Sequence, residues 1–200
     1  MDDRYYNLRT NKKFAEWVRL QGTLSTDYDL GPFYVSNTVK ELLETYFYAK
    51  RNLSNLTPEE EYEVKKENYE IYFMDKVFGV YTDVNLSKLI ENRKDTWSLH
   101  QLLKVVRKYN WPETEEIQDA INAFAKEIKH IQTARHERHA HTSQKNEPNL
   151  FHVPPDLESY RNKIKKAMEL VDRFVDGEIQ YVLHYSELEE CDLRNTINSM

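Results

Sequence analysis

The stretch from residue 113 to residue 141 repeats apolar residues at alternating steps of four and three. The repeating residues are Ile117, Ile121, Phe124, Ile128 and Ile131. This spacing places them on one stripe of an α-helix that packs along a neighbouring helix. The next two positions of the stripe are Arg135 and Arg138. The stripe therefore predicts a helix whose last turns either leave the core or direct a guanidinium toward an anion, because a buried unpaired charge is strongly destabilising.

Three further stripes of this kind predict long helices near residues 38–53, 58–80 and 156–184. The segment Thr57-Pro58-Glu59-Glu60 combines a capping threonine, a proline at the first helical position and a glutamate at the third, so it marks a helix start. Only four glycines are available for tight turns. These features predict an all-α fold, an up-and-down helical bundle with four long helices plus short accessory helices.

Polar, glycine and proline positions predict where the helices end. Residues 22–35 and 142–155 are predicted to be loops. The helix that begins at Pro58 is expected to end near Val80, with Asn85 capping a short helix after it. This helix is expected to bury Tyr62, Tyr69, Tyr72 or Phe73, and Val77. One domain is predicted over residues 1–185, followed by a polar and frayed C-terminal tail over residues 186–200.

The charge balance limits the kind of partner that the chain can bind. With 31% charged residues and a formal net charge of −6, the 200-residue chain is hydrophilic and globular. It is not suited to coating nucleic acid, because nonspecific phosphate binding needs an excess of Lys and Arg. Any contact with RNA must be local. The single Cys191, the lack of an apolar signal segment and the lack of a long apolar run predict a soluble cytoplasmic protein without membrane contact.

The segment Arg135-His136-Glu137-Arg138-His139-Ala140-His141-Thr142 holds three of the seven histidines and two arginines. An Arg followed at once by a polar residue, and six positions later by a His, resembles the signature of the HEPN superfamily (higher eukaryotes and prokaryotes nucleotide-binding). The alanine before His141 is similar to that of abortive-infection-type HEPN proteins. The resemblance implies a small helical bundle, a homodimer that brings two motifs together, and metal-independent endoribonuclease activity without a cofactor.

The same resemblance assigns roles to individual residues. His141 would transfer protons, Arg135 would hold the phosphate, and His136 would orient them. Substrate contacts are expected from Arg138, His139, Lys129 and Lys145. A toxin or phage-defence effector is the corresponding biological role, and RNA and an antitoxin are the corresponding partners.

The spacing of the motif poses a geometric problem. At roughly 100° per residue, His141 lies far round an unbroken helix from Arg135, whereas His139, four residues on, lies beside Arg135. Either the helix ends before His141, or a second copy of the chain completes the site.

Three other interpretations stay open at this point. His136, His139 and His141 could bind a metal, since histidines at this spacing form a plausible ligand pair. The run of Arg and His could also be a solvated helix end whose cations complement the helix dipole. Finally, the chain could be a non-catalytic helical module for binding or dimerisation.

Overall fold

The computed structural model describes residues 26–53, 57–134, 157–175, 178–184 and 190–199. These residues form eight helices and one small sheet, so the predicted all-α class is confirmed. The helices are α1 (Thr26–Leu53), α2 (Pro58–Glu67), α3 (Tyr69–Leu89), α4 (Leu99–Lys108), α5 (Thr114–Glu127), α6 (Lys129–Ala134), α7 (Leu157–Asp172) and α8 (Leu193–Asn198). The strands are β1 (Val182–His184) and β2 (Glu190–Asp192), which pair antiparallel.

Helix α1 lies at the centre of the bundle, in contact with α3, α4, α7 and α8. Its buried stripe consists of Val35, Val39, Leu42, Leu43 and Tyr46. The predicted helix over residues 38–53 is therefore confirmed, but it begins at Thr26. The prediction of a loop over residues 22–35 is wrong for residues 26–35.

The early start of α1 is unexpected because Gly31 and Pro32 usually interrupt helices. A Cβ atom on Gly31 would lie 2.6 Å from Cδ2 of Leu102 and 2.7 Å from a ring carbon of Trp97. Glycine thus lets α4 and the residues before it approach the backbone of α1. The packing gained there outweighs the weak local propensity, which is how tertiary contacts commonly override helix propensity.

The capping box before α2 is present as predicted. The side chain of Thr57 accepts a hydrogen bond from the Glu60 N–H at 3.2 Å, and the Glu60 carboxylate accepts one from the Thr57 N–H at 2.8 Å. The single helix predicted over residues 58–80 is instead two helices. Asn68 leaves the helical conformation (φ −118°, ψ 98°), and its side-chain oxygen accepts from the Glu70 N–H at 3.1 Å, which caps the start of α3.

Helix α3 departs from the sequence-based expectation in length and in burial. It continues past Val80 to Leu89, so Asn85 lies inside the helix and does not cap a new one. The residues after Val80 stay helical because they are packed in the bundle, where Leu86 and Leu89 are buried. Four side chains expected to be buried before Val80 are exposed, and these are Tyr62, Tyr69, Phe73 and Val77. The side chain of Tyr72, the alternative to Phe73, is outside the described part of the structure.

The stripe that dominates the sequence is buried through Ile131, as predicted. The helix that carries it is interrupted at Ile128 (φ −93°, ψ 10°), so the helix predicted over residues 113–141 is two helices, α5 and α6, as far as Ala134. Its predicted last turns, residues 135–141, lie outside the described residues. The Ile128 N–H donates to the Phe124 carbonyl at 3.0 Å, and the Gln132 N–H donates to the Ile128 carbonyl at 3.2 Å. Because these hydrogen bonds continue the helical pattern across the interruption at Ile128, the buried residues before and after it lie on the same face.

The C-terminal residues pack onto α7 and α1. Helix α7 ends at Asp172, although the sequence predicts it to run to residue 184. Arg194, which is buried, forms a 2.8 Å ion pair with Asp172 and donates to the Ile179 carbonyl at 2.9 Å. Leu193 and Ile197 belong to the core. The expectation of a frayed polar tail is therefore wrong for residues 190–199.

The close approach at Gly31 predicts a destabilising effect of Gly31→Ala. Alanine in an ordinary helix interior stabilises by up to about 1 kcal/mol relative to glycine, whereas overpacking costs typically about 1 to 3 kcal/mol. We expect a net loss of about 1 kcal/mol in the free energy of unfolding, measured by urea denaturation. In a Leu102→Ala background the same change should cost less, because the nearest methyl group is gone. Stabilisation of the parent chain by Gly31→Ala would contradict the close approach.

Candidate functional site

Most of the predicted site residues lie outside the described residues. These are Arg135, His136, Arg138, His139, His141 and Lys145. Lys129 is described, as the exposed first residue of α6. The structure also describes the two elements that flank the motif in the chain, α6 before it and α7 after it. These two helices therefore show which parts of the fold the motif segment connects.

Helix α3 is the element to which both flanks are attached. Helix α6 packs against α3. At the start of α7, the hydroxyl of Tyr160 donates a hydrogen bond to Oδ1 of Asp83 on α3. The ring of Tyr160 also meets Phe78 edge to face, with ring centroids 5.9 Å apart and planes at 76°. The segment 135–156 thus leaves from and returns to elements that rest on one helix.

The part of α3 that receives these flanks buries an unusual number of polar side chains. Thr82, Asp83, Asn85 and Ser87 are all buried. Two side-chain atoms there have no hydrogen-bond partner among the described residues, namely Thr82 Oγ1 and Ser87 Oγ. Each such buried group typically costs about 1 to 3 kcal/mol, so this helix gives up stability that an apolar sequence would keep.

Sequence reasoning missed this polar stretch because it placed the end of the helix near Val80. A signal was available in Phe78, Leu86 and Leu89, which continue the helical spacing through the polar residues.

Helix α7 also buries a polar side chain, Lys163, which lies next to Tyr160. Its Nζ donates to the Ser159 carbonyl at 3.1 Å and to the Ser159 hydroxyl, and it lies 5.9 Å from the ring centroid of Tyr160. Asp83, Tyr160 and Lys163 therefore bring a carboxylate, a phenol and an ammonium group to the first turns of α7. Each polar head is already hydrogen bonded, so the group fixes the position of α7 and leaves no head free to react.

The approach to the motif along α5 and α6 is basic and open to solvent. Lys126, Lys129 and His130 are exposed. Glu127, the acidic residue among them, is paired with Lys166 of α7 at 2.6 Å. This local positive charge is the kind of surface that the predicted phosphate contacts need, although the whole chain is acidic.

A histidine with a shifted pKa lies away from the motif. Burial, and then the charge of Lys104, lower the pKa of His100 on α4. His100 is therefore held neutral at physiological pH, because the cost of charging it is higher than in water. Helix α4, which carries His100, packs against α1 and α5.

Within the described ranges, no group of three His, Cys, Asp or Glu side chains could hold a metal ion. His136, His139 and His141 fall outside these ranges, so the metal interpretation of that cluster stays a hypothesis. None of the described helices combines the length and the apolar character needed to cross a lipid bilayer.

The anchor between α3 and α7 predicts a specific loss of stability for Tyr160→Phe. The change keeps the ring against Phe78 and removes the hydroxyl that reaches Asp83. A hydrogen bond to a charged acceptor contributes roughly 1.5 to 3 kcal/mol, and we expect a loss of this size in urea denaturation. Tyr48→Phe is the matched control, because Tyr48 is exposed on α1 and its hydroxyl should contribute less than about 0.5 kcal/mol. Equal effects of the two changes would contradict the anchor.

The fold and the flanks of the motif can be compared with known proteins. No protein-family model, no curated protein and no solved structure matches this chain. The resemblance of the motif to the HEPN signature therefore stays a prediction from the sequence.

Proposed function

We propose that this chain is a metal-independent endoribonuclease of HEPN type, acting as a homodimer in the manner of a toxin or phage-defence effector. The observation that carries the proposal is the position of the motif. The buried stripe ends at Ile131, and Arg135 is the next position of that stripe, one residue beyond the end of α6. An arginine that continues a core stripe either reaches solvent or needs an anionic partner, and RNA phosphate is such a partner.

The chemistry assigned to the motif needs no metal. Cleavage by attack of the ribose 2′-hydroxyl requires one group to take its proton, one to protonate the leaving 5′-oxygen, and a cation to stabilise charge on the phosphorus. His141 is assigned to proton transfer, because an unperturbed histidine with a pKa of about 6.5 can give or take a proton near neutral pH. Arg135 is assigned to the phosphate, with His136 orienting both.

The setting of the motif supports contact with RNA. Arg138, His139, Lys129 and Lys145 are the proposed substrate-binding residues. Lys129 stands exposed beside Lys126 and His130 on the surface that leads into the motif. The helical bundle is also the fold that the resemblance implies. Attachment of both flanks to α3 limits how far the two ends of the motif segment can separate.

A homodimer is part of the proposal, because it resolves the geometry of the motif. If the helical path continues beyond Ala134, His139 and not His141 lies beside Arg135. A second copy, packed with the motif helix in its seam, would then supply His141 to the Arg135 of its partner. A site that combines residues from two copies forms only if the chain dimerises at the concentration at which it acts.

A non-catalytic module for binding or dimerisation is the second candidate. The observation that favours it is the exposure of large apolar side chains on α2 and α3, which indicates a protein-binding surface. The two candidates differ in one result, which is whether the purified parent chain cleaves RNA at all.

The assigned roles predict the effects of three substitutions on RNA cleavage. His141→Ala should reduce the rate by about 10² to 10⁴, the usual contribution of a positioned acid or base. Arg135→Ala should reduce it by about 10² to 10³, as for loss of a donor that stabilises developing charge. His184→Ala is the matched control, because His184 is an exposed histidine on β1, outside the basic surface of α5 and α6. It should leave the rate within about twofold.

The measurement is cleavage of a mixed single-stranded RNA pool by each purified variant, with circular dichroism as the folding control. His139→Ala separates the spacing of the motif from the geometry of a straight helix. His139→Ala should reduce the rate of RNA cleavage less than His141→Ala does. If His141→Ala cuts as well as the parent while His139→Ala is inactive, the assignment of His141 is wrong.

Removal of metal ions provides an independent prediction. Cleavage should persist in EDTA, because the proposed groups are histidine and arginine side chains. Activity that disappears with the chelator and returns with a divalent ion would instead support metal binding by His136, His139 and His141. An inactive parent chain, also after removal of co-purifying partners, would favour the binding module.

A further inference from the structure

The first half of α3 exposes a row of large apolar side chains spaced by four residues. We call it the α3 row, and it consists of Tyr69, Phe73, Val77 and Tyr81, whose exposed fractions run from 41% for Tyr81 to 74% for Tyr69. The rings of Tyr69 and Phe73 stack, with centroids 6.4 Å apart and planes at 25°. Residues four apart form a ridge on a helix, and such ridges pack into the grooves of another helix. The α3 row therefore has the form of a helix-packing ridge without a helix on it.

The exposed apolar surface of the chain is concentrated on a few helices. Among the described residues, every large apolar side chain that is exposed lies on α1, α2 or α3. Tyr62 of α2, which packs against α3, and Met74 of α3 add to the row. Tyrosine, phenylalanine and methionine are enriched in protein interfaces, where rigid rings supply area and methionine adapts its shape. Single exposed apolar residues need no explanation, whereas a cluster of this composition indicates a contact with protein.

The surroundings of the α3 row are acidic. From Pro58 to Val80 the sequence holds seven carboxylates and three lysines, a net charge of −4, whereas the whole chain carries −6. Glu63, Glu67 and Glu70 are exposed there, and Lys66 is paired with Glu63 at 3.4 Å. This negative charge repels nucleic acid, anionic lipid and a second copy with the same acidic surface. The same charge attracts a basic partner.

One end of the row is held firmly in the bundle. The Tyr81 hydroxyl donates a hydrogen bond to the Glu41 carboxylate on α1 at 2.9 Å. Phe78, next to Val77 in the chain, is buried and packs edge to face on Tyr160 of α7. A surface on an element that the core already orders loses little conformational entropy when a partner binds. Helix α3 is therefore a preorganised support for the row.

We propose that the α3 row, with Tyr62 and Met74, is the docking surface for a basic amphipathic helix of a different protein. The partner helix places apolar side chains at positions i, i+3 or i+4 and i+7 on the row, as in other helix-docking sites. Lysine and arginine side chains at the edges of its apolar face meet Glu63, Glu67 and Glu70. A single helix covers less area than a folded domain, so the contact belongs to the small and reversible class of protein complexes.

This inference goes beyond RNA cleavage and does not rest on it. The basic surface proposed to lead RNA to the motif includes Lys126 and Lys129 of α5 and α6, whereas the surroundings of the α3 row are acidic. The two surfaces therefore attract partners of opposite charge. Binding of a helix and cleavage of RNA are separate measurements, so either can fail without the other.

The test uses labelled synthetic peptides of about five helical turns as probes. The first peptide has leucine along one face and lysine elsewhere, and the second has glutamate in place of every lysine. The third has the composition of the first in an order that forms no apolar face. We expect the first peptide to bind the full chain with a dissociation constant of about 1 to 50 μM in fluorescence anisotropy. The second and third should bind at least about 10-fold more weakly, because each lacks one half of the proposed recognition.

Substitutions in the chain locate the binding surface. Phe73→Ala and Tyr69→Ala remove rings from the row and should each weaken binding of the leucine–lysine peptide about 10-fold or more. Glu67→Gln combined with Glu70→Gln should weaken it about fivefold and make it less sensitive to salt. Tyr34→Ala is the matched control, because Tyr34 is an exposed tyrosine on α1 outside the row. It should leave binding within about twofold.

Circular dichroism and thermal unfolding confirm that each variant is folded. Failure of the leucine–lysine peptide to bind at about 100 μM overturns the proposal. Equal binding of the lysine and glutamate peptides, or equal losses with Tyr34→Ala and Phe73→Ala, also overturns it. Light scattering tests the remaining occupant, because self-association that is lost with Phe73→Ala would assign the row to a second copy of the chain instead.

Discussion

The burial of α1 is the constraint on which the rest of the described structure depends. This helix contacts α3, α4, α7 and α8, and Val35, Val39, Leu42 and Leu43 form the apolar stripe that it buries in the bundle. Where a neighbour must come closest, the side chain is absent, at Gly31. Helix propensity gives the wrong prediction at this position, because the glycine that weakens the helix also allows neighbouring side chains to pack against it.

Helix α3 departs from the usual distribution of polar and apolar side chains. Its second half buries Thr82, Asp83, Asn85 and Ser87 beside apolar residues, and its first half exposes large apolar side chains such as Tyr69. Both halves reduce the stability of an isolated chain, the second half through unpaired polar atoms and the first through hydrated apolar surface. Natural sequences break such rules mainly where a function compensates. The buried polar half lies where the flanks of the motif are attached.

The sequence predicts those parts of the fold that follow from periodicity. The stripe from Ile117 to Ile131, the capping box at Thr57 and the all-α class all agree with the structure, because each depends on residues near one another in the chain. Helix boundaries fail where distant residues decide them. The start of α1 depends on Leu102 and Trp97, and the packing of α8 depends on the ion pair of Arg194 with Asp172. Neither partner can be recognised from spacing alone.

The candidate site divides in the same way. The motif itself can be read from the sequence, whereas its attachment through Asp83 and Tyr160 joins residues 77 positions apart and needs the fold. The interruption at Ile128 bears on the remaining question of geometry. Because Ile131 stays buried after it, the interruption does not rotate the stripe away from the core. The spacing of the motif keeps its own difficulty, since on an unbroken helix His141 would lie far round from Arg135. Convergence of the two side chains would then require either an end to the helix or a second copy.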